Sequence, residues 1–296
     1  MTDTTALGRT LTVAKKDYRD AVQSRALWAL VVIFVILTLI SSYAYAEVPE
    51  LFGGPDESSF EGLVFFTAAM AALFVPIAAI IVCYKSLAGE RESGSMKVLL
   101  SLPATRRDIF FGKLIGRSAV ISTGLALGII IGLAFGTVLL GEFDPVAAVV
   151  FFIASVVFAI IYSGIIVSLS AVTGSTVRAT TYALGFFVIF ELLWDIIPLG
   201  VLYVVEGFSL PQTFPDWFVT VTIVSPATAY FSAISALLPE PSDIAADPDT
   251  PGTGVEFGVE FGDSFFAQPE IGIAVLAFWL LVPLAVGYRR FNGADI

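Results

Sequence analysis

Six apolar runs, at about 26–46, 62–84, 118–140, 146–172, 179–205 and 271–288, decide what this chain can fold into. Each is near or above the ~20 residues that a helix needs to cross the roughly 30 Å hydrocarbon layer of a bilayer. A water-soluble core could not absorb them all. Of the 296 residues 57% are hydrophobic and 14% charged, where soluble domains carry about 45–50% and about 25%. The expected fold is all-α: one polytopic membrane domain over residues 1–296, with six transmembrane helices, placed in the cell membrane.

The basic residues say how the helices are threaded, because cytoplasmic loops are the ones enriched in Lys and Arg. Arg9, Lys15, Lys16, Arg19 and Arg25 precede the first run. Lys85, Arg91, Lys97, Arg106, Arg107, Lys113 and Arg117 lie between the second and third, Arg178 between the fourth and fifth, and Arg289 and Arg290 after the sixth. These are all fifteen basic residues, and the connections 47–61, 141–145 and 206–270 hold none. Six crossings with both termini in the cytoplasm account for this alternation.

Two other parses compete. Ala44-Tyr45-Ala46 resembles a signal-peptidase site, but the run before it exceeds the 7–15 residues of a signal-peptide core, so the first span is expected to remain. Residues 217–238 could form a seventh crossing, yet Pro226 interrupts them and an added crossing would move Arg289 and Arg290 outside. They are expected to be amphipathic helices on the outer mouth. The net charge of −11 comes mainly from the outer loops, above all 206–270, in tracts such as Pro239-Glu240-Pro241-Ser242-Asp243 and Asp247-Pro248-Asp249. Such tracts bind water and cations and form no core. Acid-rich surface with few lysines resembles that of proteins from salt-loving archaea; a cation-collecting vestibule is the competing reading.

The chain has no histidine and a single cysteine, Cys83. Imidazole ligands and an intrachain disulfide are therefore out of reach. Without a nucleophile or metal constellation an intramembrane hydrolase fits poorly. Cys83 reads as a small apolar filler at the end of the second span. No Gly-x-x-x-x-Gly-Lys-Ser/Thr occurs, so this chain offers no phosphate-cradling loop for ATP, and no catalytic, cofactor or metal residue is assigned in it. The basic residues beside the membrane follow from topology, so no nucleic acid is expected as a partner.

Residues 85–117 carry the most information. An amphipathic helix is expected from about Gly89 to Leu102, with Met96, Leu99 and Leu100 on one face and Glu90, Arg91 and Lys97 elsewhere. Pro103 ends it. Thr105-Arg106-Arg107-Asp108 then has capping-box spacing and restarts a helix through Phe110 and Leu114 into the third span. From these properties alone, a charged loop anchoring two spans is an equal reading.

The same residues resemble the loop between the second and third spans of ABC-2 type permeases, particularly the six-span branch that includes the NosY-like proteins. The shared pattern is an acidic, glycine-containing hydrophobic helix, then Leu-Pro, then a small residue with Arg, then a Lys-Gly-type lead into the next span. It falls here on Glu90, Arg91, Glu92 and Gly94, on Met96 and Leu99, on Leu102-Pro103, on Thr105, Arg106, Arg107 and Asp108, and on Gly112-Lys113. More loosely, residues 7–25 resemble the family's interfacial elbow helix. Leu7, Leu11, Ala14, Tyr18 and Ala21 recur at helical spacing, and Lys15, Lys16 and Arg19 can reach headgroups. Residues 224–230 resemble its outer-loop element, although the outer loop is long and acidic.

The resemblance implies the membrane-spanning permease subunit of an ATP-binding-cassette exporter. A separate cytoplasmic ATPase, which binds the ATP and Mg, would dock on a coupling loop made by Glu90, Arg91, Glu92, Gly94, Met96, Leu99, Pro103, Arg106, Arg107 and Asp108. A second permease chain would complete a homodimer or heterodimer.

Two features lie inside the expected spans. Gly124, Gly128, Gly132 and Gly136 form a small stripe that lets another backbone approach, for helix packing or for lining a path. Glu191 and Asp195, four apart in the fifth span, are costly in a membrane and so face protein or water. They read either as a translocation-path contact for a cation, polar cargo or proton, or as a protonated clamp between helices. An ion-coupled carrier or channel using this pair is the alternative to the ABC permease.

Overall fold

The computed structural model describes residues 6–47, 59–101, 104–209, 211, 213–238, 260–261, 268 and 270–294. Its helices are α1 (Ala6–Val22), α2 (Arg25–Glu47), α3 (Phe60–Cys83), α4 (Ala88–Glu92), α5 (Ser95–Ser101), α6 (Arg106–Leu140) and α7 (Pro145–Val172). Then follow α8 (Thr176–Phe187), a π-helical segment (Val188–Leu193), α9 (Ile196–Val205), α10 (Asp216–Thr222), α11 (Pro226–Leu237) and α12 (Glu270–Asn292). Among the described residues six stretches are long and apolar enough to cross a membrane: α2, α3, α6, α7, α8 with its π extension, and α12. Among the described residues the only strand pairing is parallel and two residues long, Thr213–Phe214 with Glu260–Phe261.

Local chemistry sets the ends. Ser59 accepts the Gly62 N–H at the start of α3, and Asp144 accepts those of Val146 and Ala147 ahead of Pro145, which suits a first helical position because its missing N–H would be unpaired there anyway. Thr105 and Asp108 cap each other's backbone at the start of α6. Helix α6 then runs unbroken for 35 residues to Gly141.

Packing in lipid gains little from moving oil out of water, so close contact and interhelical hydrogen bonds carry the association. Helices α1 and α2 lie along α6. A Cβ on Gly128 would stand 2.9 Å from the Phe34 backbone, and one on Gly116 2.9 Å from Asp17 Cβ. The α6 carbonyls gain partners from this approach: Thr38 Oγ1 donates to Gly128 O at 2.7 Å and Ser42 Oγ to Gly132 O at 2.8 Å. Helices α3 and α7 form the centre, with Phe60, Leu63, Phe65, Phe151, Phe158 and Tyr162 buried.

Three expectations need correction. The single helix over Gly89–Leu102 is two short ones, because Gly94 takes a left-handed φ of 74° and turns the chain between them. Leu102 and Pro103 lie outside the described residues, as do the acidic tracts at 239–243 and 247–249. The fifth span is interrupted: its α-helix passes into the π segment, and a turn at Trp194 and Asp195 precedes α9. Pro198 accounts for that break, since it cannot donate to the carbonyl four residues back. Finally, the second helix of the segment expected on the mouth does not lie there. Helices α10 and α11 bend by 99°, and α11 inserts into the bundle, where Tyr230 stacks on Phe158 at 4.4 Å and shares a 2.6 Å hydrogen bond with Ser155. Ser155 is ten residues into α7, or about 15 Å from its start at 1.5 Å per residue.

Candidate functional site

The helix ends flanked by Lys and Arg gather at one end of the bundle, and residues 85–117 tie them together. Three arginines of this loop each take the C-terminal carbonyls of a different helix. Arg117 Nη1 donates to Val82 O of α3 at 3.2 Å. Arg91 Nη1 donates to Ala171 O and Thr173 O at the end of α7, at 3.2 and 3.1 Å. Arg106 Nη1 donates to Phe291 O, Asn292 O and Ala294 O at the end of α12, at 3.1, 2.8 and 2.7 Å. Helices leave their last four carbonyls unbonded, and the negative end of the dipole favours a cation there.

A partly buried group of four charges sits at the start of α6, with Asp17 and Lys113 buried and Glu90 and Arg117 half-buried. Lys113 Nζ pairs with Asp17 Oδ1 of α1 at 3.3 Å and with Glu90 Oε1 of α4. Arg117 Nε meets Asp17 Oδ2 at 2.9 Å. Two acids and two bases balance, as buried charges must. Asp108 is 1% exposed and accepts from Thr105 N, Thr10 Oγ1 and Arg9 Nε at 3.0, 2.9 and 3.1 Å. Glu92 Oε2 accepts the Thr176 N–H at the start of α8, at 2.9 Å; bonding to Thr176 holds its carboxyl below the ordinary glutamate range. Ser170 Oγ accepts from Leu87 N and Ala88 N and donates to Tyr84 O. Met96 is fully buried and Leu99 packs half-buried against the core. Lys97, Val98 and Arg107 are exposed.

The loop residues picked from the sequence thus divide. Glu90, Arg91, Arg106 and Asp108 turn inward onto other helices, Glu92 is exposed but reaches across to the start of α8, and Gly94 makes the bend between α4 and α5. Arg107 faces outward. Reading the sequence missed Asp17, Lys113, Arg117 and Ser170 as members of this network, because their partners stand about 23 to 100 positions away. The polar residues Lys113 and Arg117 directly ahead of an apolar run were the available signal.

Glu191 lies on the π segment and Asp195 on the turn after it. Glu191 Oε1 is buried without a hydrogen-bond partner. On the neighbouring face Phe186, Phe190 and Trp194 stack at 4.7 and 4.8 Å. Trp194 Nε1 donates to Val221 O and Ser225 Oγ to Phe190 O, so this face grips the bend between α10 and α11. Trp279 Nε1 of α12 donates to Val224 O in the same bend. A π turn breaks the regular backbone ladder and is frequent at functional sites.

The model of the ABC-2 family transporter proteins matches residues 11–296. This chain belongs to the ABC-2 transporter family. Among curated proteins, the probable ABC transporter permease protein NosY of Pseudomonas aeruginosa is 24% identical over 213 residues, covering 69% of this chain and 74% of that one. The NosY protein of Stutzerimonas stutzeri is 26% identical over 211 residues, with the same coverage. As an ABC-2 member with six apolar crossings, the chain is a multi-pass membrane protein and the permease subunit of an ABC transporter. Such a subunit is a transport component that works with an ATP-binding subunit.

Proposed function

We propose that this permease serves an exporter, with the basic end and both termini in the cytoplasm and residues 85–117 receiving a separate ATPase that binds the ATP and Mg. The observation that carries the reading is the loop itself. It is folded into α4 and α5, and its ties reach α1, α3, α6, α7, α8 and α12. A loop that only joined α3 and α6 would not need contacts with the four other helices. Its outward residues, Lys97, Val98 (66% exposed) and Arg107, form the docking face. The glycine stripe packs α2, and Glu191 and Asp195 mark the translocation path along the fifth span. That span offers few buried residues of its own, Ala179 and Ala183 in α8 and none in the π segment, which suits contact with a second permease chain.

The test is affinity purification of the tagged chain from its native membrane, with mass spectrometry and an ATPase assay of the eluate. A stoichiometric ATP-binding subunit is expected, and Val98→Asp with Arg107→Glu should lose it while the chain still inserts. A chain that elutes alone and moves cations across liposomes without ATP would refute the reading.

A further inference from the structure

We infer that Arg91 and Glu92 are positioning residues through which the loop moves the fifth span, by holding the turn between α7 and α8 from both sides. The inference rests on the reading of residues 85–117 as the ATPase-docking loop. The two residues are adjacent on α4, yet each serves a different helix terminus. Arg91 holds the final carbonyls of α7, Ala171 O and Thr173 O. Glu92 holds the first N–H of α8, that of Thr176. A cation at a helix C-terminus and an anion at a helix N-terminus are the signs that the two dipoles favour.

The cap on α8 comes from outside its own chain segment. Ser175 stands at the N-cap position but makes no side-chain capping bond, and Glu92 accepts one of the unbonded N–H groups of the first turn, that of the N1 residue Thr176. At its other end α4 is fastened to α7 by the Leu87 and Ala88 N–H groups on Ser170 Oγ. A displacement of α4 therefore reaches the base of α8 through short, directional bonds.

Helix α8 is built to respond. It is gripped at its base but has only Ala179 and Ala183 buried along its length. It runs straight into the π segment that carries Glu191. Thr176 and Glu191 are fifteen residues apart, about 22 Å at 1.5 Å per residue, so a tilt at the base becomes a larger swing at the acids. The preceding residue, Glu90, sends a separate branch through Lys113 to α6 and α1. The two branches can be cut independently.

The experiment uses the chain in complex with its ATP-binding subunit in nanodiscs. Cys83 is buried and alone, so a fluorophore reports on an introduced cysteine, Val188→Cys on the π segment or Val138→Cys on α6, both exposed. Mg-ATP is expected to shift the signal at both positions. Glu92→Ala should abolish the shift at 188 and leave that at 138. Thr176→Pro should do the same without touching Glu92: proline has no N–H and is suited to a first helical position, and Ser175 before it is already extended (φ −125°, ψ 129°). Glu92→Gln keeps an acceptor oxygen but no charge, and should retain the shift. All three should keep the ATP-binding subunit at its normal ratio. A full response at 188 in both Glu92→Ala and Thr176→Pro would overturn the inference. So would loss of the subunit in Glu92→Ala and Glu92→Gln but not in Thr176→Pro, which would make Glu92 a docking charge. An unmodified chain that binds no ATP-binding subunit would instead overturn the docking reading beneath it.

Discussion

Replacing Lys113 by Met removes one cation from the partly buried group of four charges and keeps a side chain of similar length. Asp17 retains Arg117, through Nε at 2.9 Å and Nη2 at 3.1 Å. Glu90 loses its ion-pair partner, and its Oε2 is already buried without a hydrogen bond. Breaking a fully buried pair costs about 3–5 kcal/mol, most of it the stranded charge. Because the Glu90 side chain is 22% exposed, water relieves part of this, and about 2–3 kcal/mol is expected. At about 2–4 °C per kcal/mol, the melting midpoint in detergent should fall by roughly 4–12 °C. The decisive comparison is the double variant Lys113→Met with Glu90→Gln. Removing both partners leaves no stranded charge, so more than half the loss should return. A Lys113→Met midpoint within about 1 °C of the parent, or a double variant no better than the single, would refute the balanced-charge account.

Gly128→Val should cost about 1–3 kcal/mol by prising α2 from α6, whereas Gly124→Ala, with its nearest neighbour at 3.4 Å, should melt close to the parent. Ser170→Ala should cost about 1–3 kcal/mol by stranding the buried Leu87 and Ala88 N–H groups; Ser168→Ala, which removes a hydroxyl with no partner, should leave the midpoint unchanged in the same assay. Glu191→Gln with Asp195→Asn should keep the ATP-binding subunit on co-purification and change the complex's ATPase rate; loss of the subunit would place these acids in assembly instead.

The number of crossings was legible in the chain because each span must carry its own ~20 apolar residues, and lipid tests them one by one. The capping box at Thr105 and Asp108 was legible for a similar reason: both partners lie within one turn. The alternation of basic residues showed which helix ends belong together. What each arginine does there was not legible, since Arg91, Arg106 and Arg117 bond carbonyls 80 to 188 or 35 positions away, and any helix C-terminus could have received them. The reach of Glu92 to Thr176 and the stranded place of Glu191 depend likewise on where α8 starts and how Pro198 breaks the span. A single chain segment states that a helix will form and cross. Its neighbours decide which of its charges are spent on holding the bundle and which remain for a partner, because that choice is made by distances of about 3 Å between residues far apart in sequence.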